Sequence, residues 1–556
     1  MYAIVLLLLF VFSFLFKADF SFDQDLGRHI KLGEIITQTG EVPKTNLFSY
    51  TYPDFPFINT HWLFEVVAYF FSISTGLQAL LILKVLILLL CVFLIIKSIP
   101  KENKVLLLPL GFIFFHVLRE RTDLRPEIFS FLFTTLTLYI LEKFVSSQKS
   151  KAIYFLPLMQ LLWINTHIYF FVGLVLQVIF LICLIYLKFR TRGDFNKIKT
   201  LGLVFLFSCI LSLLNPNGLT GALYPLTVKQ NYGYLIVENQ TLFFLENIKF
   251  SDPNFLFVKL SWAIIVLSIL YAFIKRKLNL KNLMLCGFGL VLSFMNVRSF
   301  PYLVFLSFPA VLSNFGAIKK NFATKSLIVI FAVLLLYESF LYLSGDYYKS
   351  RDENYTVNLK LIESGKKALD FLIKNDLPQP IFNNFDIGSY IIYRTYPKYK
   401  VFVDGRPESY PTQFFQGEYV PIQYDYQKFK EFDKNISLQT VIFSHTDQTP
   451  WAINFLQNII QDPDWAVVYI DKFIIILTKS SWIEKLNLPI IDLALLSPKN
   501  YSYQNHTDYL RLGYFLAKTE NINSAKVFLD KSIQTFPKSP AVQRILYGTS
   551  QSGYFW

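Results

Sequence analysis

About eleven apolar runs divide the first 343 residues of the chain: 2–16, 77–96, 105–118, 127–144, 153–165, 168–187, 201–214, 257–274, 283–296, 300–315 and 326–343. Each predicts a helix that is apolar all round, the pattern of a segment lying in lipid. Several are shorter than the ~20 residues an upright span needs, so their ends extend a few residues into the flanking sequence. A further apolar stretch, 61–74, opens with His61 and Trp62 and carries Glu65. Were it to cross, every later loop would change sides, so it is predicted to lie as a helix at the interface.

Past residue 343 the pattern changes. Mixed polar and apolar runs predict a helix at 357–375, strands at 380–383, 400–403 and 440–443, and a hairpin-like pair across 465–478, together a small α/β domain ending near Ser480. In 509–542, Leu512-Gly513, Leu516, Ala525, Leu529 and Pro537 have the spacing of a tetratricopeptide-like helix pair. One such pair cannot bury its own face. It is predicted to cap the domain, to dock a protein partner, or to begin a longer array. The expected division is 1–343, a transmembrane domain; 344–482, an α/β domain; and 483–556, a linker plus the helix pair.

Charge orients this layout. The gaps 97–104, 142–151, 188–199, 275–281 and 319–325 hold 18 Lys/Arg and 3 Asp/Glu, a net +15 against +14 for all 556 residues. Lys and Arg gather on the cytoplasmic side of membrane proteins. These loops and the N-terminus are therefore expected in the cytoplasm, and residues 344–556 beyond a cytoplasmic (inner) membrane. The rest of the chain is near neutral, so the basic excess gives no reason to expect nucleic acid. A chain that is 53% apolar cannot hide its runs in one soluble core. All four cysteines, Cys91, Cys183, Cys209 and Cys286, lie in apolar runs, which argues against disulfides, thiol redox chemistry and a cysteine metal site outside. Residues 2–16 have the length of a signal peptide, but no small-residue cleavage pattern follows, and an uncleaved first helix is expected.

Three segments then face outward between spans: 17–60, 119–126 and the Pro/Gly-marked 215–254. The first opens with Phe22-Asp23-Gln24-Asp25-Leu26-Gly27-Arg28-His29. Acids just above a membrane suit general-base or metal work; the plainer reading is a solvated loop whose aspartate caps the following helix. The second, with Glu127 just beyond it, runs Arg119-Glu120-Arg121-Thr122-Asp123-Leu124-Arg125-Pro126-Glu127 and sets three arginines where the orientation rule does not expect them. Guanidinium recognises lipid phosphate bidentately, with head-group anchoring as the alternative. Lys84, mid-span, needs a partner such as Glu65 or a lipid phosphate, unless it snorkels. His116, Asn165 and His167 fall near outer span ends and favour interfacial hydrogen bonding. Asp386, Asp404 and Arg406 sit at strand ends beside Gly388 and Gly405, where turn chemistry accounts for them.

This order of features resembles the GT-C superfamily of membrane glycosyltransferases, and within it a bacterial branch with an outer α/β domain. The likeness rests on Asp25-Leu26-Gly27-Arg28-His29 with Gly33, Arg125-Pro126-Glu127-Ile128-Phe129-Ser130, Trp163-Ile164-Asn165-Thr166-His167, Asn215-Pro216-Asn217-Gly218, the run from Phe382 through Asp386 to Tyr390, and Val403-Asp404-Gly405-Arg406. It covers about residues 1–480.

The resemblance implies transfer of a sugar from a polyprenyl-phosphate-linked donor to a glycan, lipid or protein acceptor at the outer face. By position it implies Asp25 or Asp23 as the carboxylate that deprotonates the acceptor or holds a metal, with Asp123 and Glu127 as a second acidic group. Arg298, in Asn296-Val297-Arg298-Ser299, would meet the carrier phosphate, with His29, Arg119, Arg121, Arg125, Lys84 and His167 on the substrate-binding side. Metal-dependent members hold two acids close together where this chain has Asp123-Leu124-Arg125-Pro126-Glu127. A monophosphate donor and no obligatory divalent metal are therefore expected, a divalent cation remaining compatible with the acids. Two other readings compete: an O-antigen-polymerase or ligase-like enzyme, relying on arginines and a histidine in place of Asp25, and a non-catalytic membrane assembly protein that recruits partners.

Overall fold

The computed structural model describes residues 2–146, 151–191, 194–250, 252–318, 321–353 and 356–547; the remaining residues, among them parts of three basic loops, lie outside the described set. Helix covers the apolar runs throughout the first 343 residues, so this is a multi-pass helical membrane protein. Among the described residues five helices are long and apolar enough to cross a membrane: Leu77–Lys97, Glu127–Ser146, Ile168–Arg190, Asn254–Ile274 and Phe322–Ser344. Others are cut short for visible reasons. The run from 153 begins as a 3-10 turn, Lys151–Phe155, continues as the helix Leu156–Thr166, and stops where His167 turns extended. Pro301 opens the helix Phe300–Phe315, where a missing N–H costs nothing.

The helix Trp62–Ile73 buries Phe64, Glu65 and Ala68 and leaves Phe70 and Ile73 exposed. It lies hard against the helix Gly27–Thr39. A Cβ on Gly33 would stand 2.0 Å from the Glu65 carbonyl oxygen, so only glycine allows this crossing.

Beyond residue 343 a four-stranded sheet forms in the order β1 (Ile381–Asn383), β2 (Thr440–Ser444), β4 (Ile474–Lys479), β3 (Trp465–Ile470). β1 runs parallel to β2, with Phe382 opposite Val441, and β4 lies antiparallel between β2 and β3, with Ile442 opposite Ile476. All five residues of β2 are buried, as befits a strand covered on both faces. Two expectations need correction here. Residues 400–403 do not join the sheet: Val401 N–H donates to Phe48 O (2.9 Å) and Tyr50 N–H to Val401 O (3.2 Å), so this segment clamps the 17–60 loop. The helix expected from 357 is only Lys366–Lys374. The residues before it run beside the end of the first helix, where Asp19 N–H donates to Lys360 O and Ile362 N–H donates to Asp19 O, both at 2.9 Å.

The helices His506–Lys518 and Ile522–Thr535 pair against the domain, and one apolar cluster runs from Phe443 and Phe455 to Leu512, Phe515 and Phe528. His506 Nε2 lies 2.9 Å from Asp352 Oδ1, tying the pair back to the chain just after the last long apolar helix. The result is a membrane-type helical bundle with the α/β domain and helix pair packed on one end.

Candidate functional site

Where the bundle meets the domain, a small polar cavity is lined by Asp25, Arg28 and His29 of the 17–60 loop, Arg121, Arg125 and Glu127 of the second loop, and His61, His167, Tyr232, Arg298 and Glu408. Its two walls have different origins. Loops and helix ends of the bundle bring the arginines; the turn Pro407–Ser409 of the domain brings Glu408.

The arginines are held by acids. Arg28 donates through Nη2 to Asp25 Oδ1 at 2.9 Å, and Arg125 Nε approaches Asp25 Oδ2 at 3.4 Å. Arg121 donates through Nε to Glu127 Oε1 at 2.9 Å. Glu238 stands at the centre: Arg121 (2.7 Å), Arg125 (2.6 Å) and Arg298 (3.0 Å) all reach it. Burial alone would push these carboxyls up. At Asp25 the charges of Arg125 and Arg28 outweigh burial and hold the carboxyl below its usual value. At Glu238 the three arginines hold it well below. Both are therefore carboxylates at neutral pH.

The guanidiniums are not satisfied in return. Nε of Arg28, Arg125 and Arg298 and Nη2 of Arg121 are buried N–H groups with no hydrogen-bond acceptor among the described residues, although Arg125 Nε and Arg121 Nη2 lie within ion-pair reach of Asp25 and Glu127. A buried unpaired donor costs about 1–3 kcal/mol. The two with no carboxylate in reach, on Arg28 and Arg298, stand on one cavity with the other two guanidiniums and are arranged for an anion that brings further acceptor oxygens.

A row of histidines closes the other side. The rings of His29 and His61 are 5.6 Å apart and those of His61 and His167 5.4 Å. His29 Nδ1 lies 3.1 Å from Glu65 Oε1, whose partner oxygen accepts from Asn59 at 2.7 Å. His167 Nδ1 lies 2.7 Å from Ser130 Oγ, which accepts from Trp163 Nε1 at 2.6 Å. Burial, reinforced by the arginine charges, takes His61 down to about 3 and His29 and His167 well below the ordinary histidine range. All three are neutral and serve as hydrogen-bonding walls. Among the described residues no three His, Cys, Asp or Glu side chains meet as a metal-holding group.

The structure thus brings together Asp25, His29, Arg121, Arg125, Glu127, His167 and Arg298. It places three others elsewhere. Lys84 pairs with Asp19 at 2.8 Å, both buried, and neither Glu65 nor the cavity is its partner. Arg119 turns away, 4.6 Å over the Tyr347 ring and 3.6 Å from Glu353. Asp123 does not line the cavity. The side chain of Asp23 lies outside the described residues. Four lining or central residues were not singled out for the site from sequence: His61, Tyr232, Glu238 and Glu408. The usable signal was for Glu408 alone, two positions beyond the Val403-Asp404-Gly405-Arg406 run.

Asp404 and Arg406 are structural. Arg406 forms a bidentate pair with Asp404, both contacts at 2.8 Å, with 0% and 1% of the two residues exposed. It also donates to Asn46 at 2.9 Å and lies over the Phe48 and Phe57 rings, bolting the 17–60 loop to the domain beside Glu408. Asp386 opens the helix Phe385–Thr395 instead of ending a strand, and burial next to Asp447 pushes its carboxyl up.

No protein-family model matches the chain, and no curated protein matches it. Solved structures that match across nearly its whole length include the following two. The archaeal oligosaccharyltransferase AglB from Archaeoglobus fulgidus, in complex with an inhibitory peptide and a dolichol-phosphate, is 12% identical, with a TM-score of 0.53 over 97% of this chain and 86% of that one. The oligosaccharyltransferase of the same organism, tethered by a disulfide to an acceptor peptide containing an NVT sequon, is 11% identical, with a TM-score of 0.55 over the same shares. The chain therefore shares the overall fold of these two oligosaccharyltransferase structures.

Proposed function

We propose that this chain is a glycosyltransferase that moves a sugar from a polyprenyl-phosphate-linked donor to an acceptor at the outer face of the inner membrane. The observation that carries the reading is the set of four arginines around one cavity, with buried donor N–H groups on Arg28 and Arg298 that lack an acceptor among the described residues. A lipid-linked phosphate supplies the missing oxygens. The likeness to structures that hold a dolichol-phosphate and an acceptor peptide supports the same class of donor and a protein among the possible acceptors.

Arg28, Arg121, Arg125 and Arg298 are matched by Asp25, Glu127, Glu238 and Glu408. A phosphodiester with one negative charge disturbs this balance less than a diphosphate would, so we assign a monophosphate donor. Three of the carboxylates are engaged with guanidiniums, and those cations stabilise the departing phosphate without an obligatory divalent metal. Asp25, fixed as a carboxylate between Arg28 and Arg125, is placed to stabilise positive charge growing on the sugar's reacting carbon. The cavity, about 80 Å³, is far below the ~300 Å³ at which ligand sites usually begin. Donor phosphate therefore takes over part of the cluster that Glu238 now occupies. The O-antigen-polymerase-like alternative keeps the arginines and gives Asp25 no part in the reaction.

Arg298→Ala tests the phosphate assignment. Removing one charge-assisted contact should weaken binding of undecaprenyl phosphate by about 1.5–3 kcal/mol, read by titration in detergent. Unchanged affinity would take Arg298 out of the donor site.

The proposal includes the topology expected from the charge pattern, with about eleven spans and the domain outside. In a background with the native cysteines replaced by alanine, engineered thiols at Ser344 and Gly417 should react with an impermeant reagent added to intact cells, and one at Lys277 should not. Labelling of Lys277 from outside would overturn the layout.

A further inference from the structure

A sugar transfer needs a group that takes the acceptor's proton, and the cavity offers few. Asp25, Glu127 and Glu238 are each engaged with one or more arginines at 2.6–3.4 Å. The three histidines are held neutral by burial and by nearby guanidiniums, with His61 down to about 3, which makes them weak proton acceptors. Glu408 differs from all of these. It lines the same cavity, yet among the described residues no Lys, Arg or His nitrogen lies within ion-pair distance of its carboxylate. The groups that face it are Arg28 from the 17–60 loop, Tyr232 from the third segment, and Asp404 and Arg406 at its own end of the domain. Burial pushes its carboxyl up, with Arg28 opposing.

Its position is also fixed. On one side the buried Asp404–Arg406 pair anchors the backbone, and on the other Ser409 O accepts from Asn46 Nδ2 at 3.1 Å. Between them Gly405 packs so close that a Cβ would stand 3.0 Å from Gln24 O, pressing this turn against the residue beside Asp25. The arginines line the bundle wall and Glu408 the domain wall. In-line displacement asks for that separation, with the leaving phosphate on one side of the sugar and the entering acceptor on the other.

We propose that Glu408 is the catalytic base that receives the acceptor's proton, an assignment that rests on the sugar-transfer reading above. The acceptor's O–H or N–H lone pair forms the new bond to the sugar's anomeric carbon as the bond from that carbon to the phosphate oxygen breaks. The electron pair of the broken bond leaves with the lipid phosphate, whose added charge falls among the arginines. The acceptor's proton passes to the Glu408 carboxylate and from there to water.

The test uses the full-length protein in detergent. Undecaprenyl phosphate serves as the binding probe, and release of undecaprenyl phosphate from undecaprenyl-phosphate-linked hexose serves as the turnover readout, with water or added peptide as acceptor. Glu408→Gln should lower kcat by on the order of 10²–10⁴ and leave the Kd for undecaprenyl phosphate within about twofold. The wild-type rate should climb with pH as Glu408 loses its proton, and this limb should vanish in the variant. Glu408→Asp should recover part of the rate and retain the limb, which also covers the event that the glutamine variant folds poorly. Turnover of Glu408→Gln at the wild-type rate, or loss of its lipid-phosphate binding, would overturn the assignment while the transfer reading stands. Failure of the wild-type protein to bind undecaprenyl phosphate would instead remove that reading, and the assignment with it.

Discussion

Asp25→Asn is expected to lower turnover by about 10²–10³-fold with undecaprenyl-phosphate-linked sugar, and to leave the protein folded. Asparagine keeps the shape and one acceptor oxygen for Arg28 Nη2, now 2.9 Å away. It removes the charge that, on the proposed reading, faces the reacting carbon, and one of the two carboxylates that Arg125 reaches. Arg125 retains Glu238, so the cluster persists. The stability cost should stay within about 1–3 kcal/mol, the scale for one lost hydrogen bond to a charged group. Comparing kcat with the thermal midpoint in detergent separates the two effects. Near wild-type turnover would take Asp25 out of the reaction and leave the polymerase-like use of arginines and histidines as the better account.

The second large effect concerns folding. Arg406→Met strands a carboxylate that is 0% exposed, and breaking a buried pair by removing one partner costs about 3–5 kcal/mol. The double replacement Asp404→Leu with Arg406→Met should cost much less, because no charge is left behind. The pH dependence has a definite sign. Burial alone would raise the Asp404 carboxyl, but Arg406 outweighs it and lowers it below 3.8. The wild-type pair therefore contributes its stability above the unfolded value, and loses it as pH falls through the lowered native value. In Arg406→Met the opposing guanidinium is gone and Asp404 is driven towards its protonated form. The deficit should be largest near neutral pH and shrink on acidification. A deficit equal at pH 4 and pH 7 would mean that the loss lies in packing against Phe48 and Phe57, not in charge.

The bundle was legible from sequence because lipid imposes a signal that is long, local and tolerant of small errors. The same holds for Asp25, Arg121, Arg125 and Glu127, which sit next to helix ends wherever those ends fall. What sequence did not reveal has specific causes. Glu238 is one of several acids in 215–254, and only folding brings it to Arg125, 113 residues away. Arg119 and Arg121 open and close one 3-10 turn, where two positions apart means about 240° of rotation; one faces the cavity and the other Tyr347. Lys84 needed an acid, and the long stem of lysine could reach several; Asp19, at the end of the first helix, drew no attention as a partner. The segment 400–403 has strand-forming residues, but such a preference does not name the neighbour, and the neighbour proved to be Phe48 and Tyr50.

Because one wall of the cavity comes from loops near the start of the chain and the other from Glu408, the site has a history as well as a geometry. At ~5–20 residues per second of synthesis, roughly 20–80 seconds separate the emergence of Asp25 from that of Glu408. For roughly the last 5–22 seconds of that interval, after Arg298 has emerged, Arg28, Arg121, Arg125 and Arg298 are all present without the wall that Glu408 supplies. The cavity closes only when the domain docks and Arg406 and Ser409 engage Asn46. The chain therefore presents its arginines first as an anion-binding surface, and the cavity with its second wall is completed last, when the far end has folded.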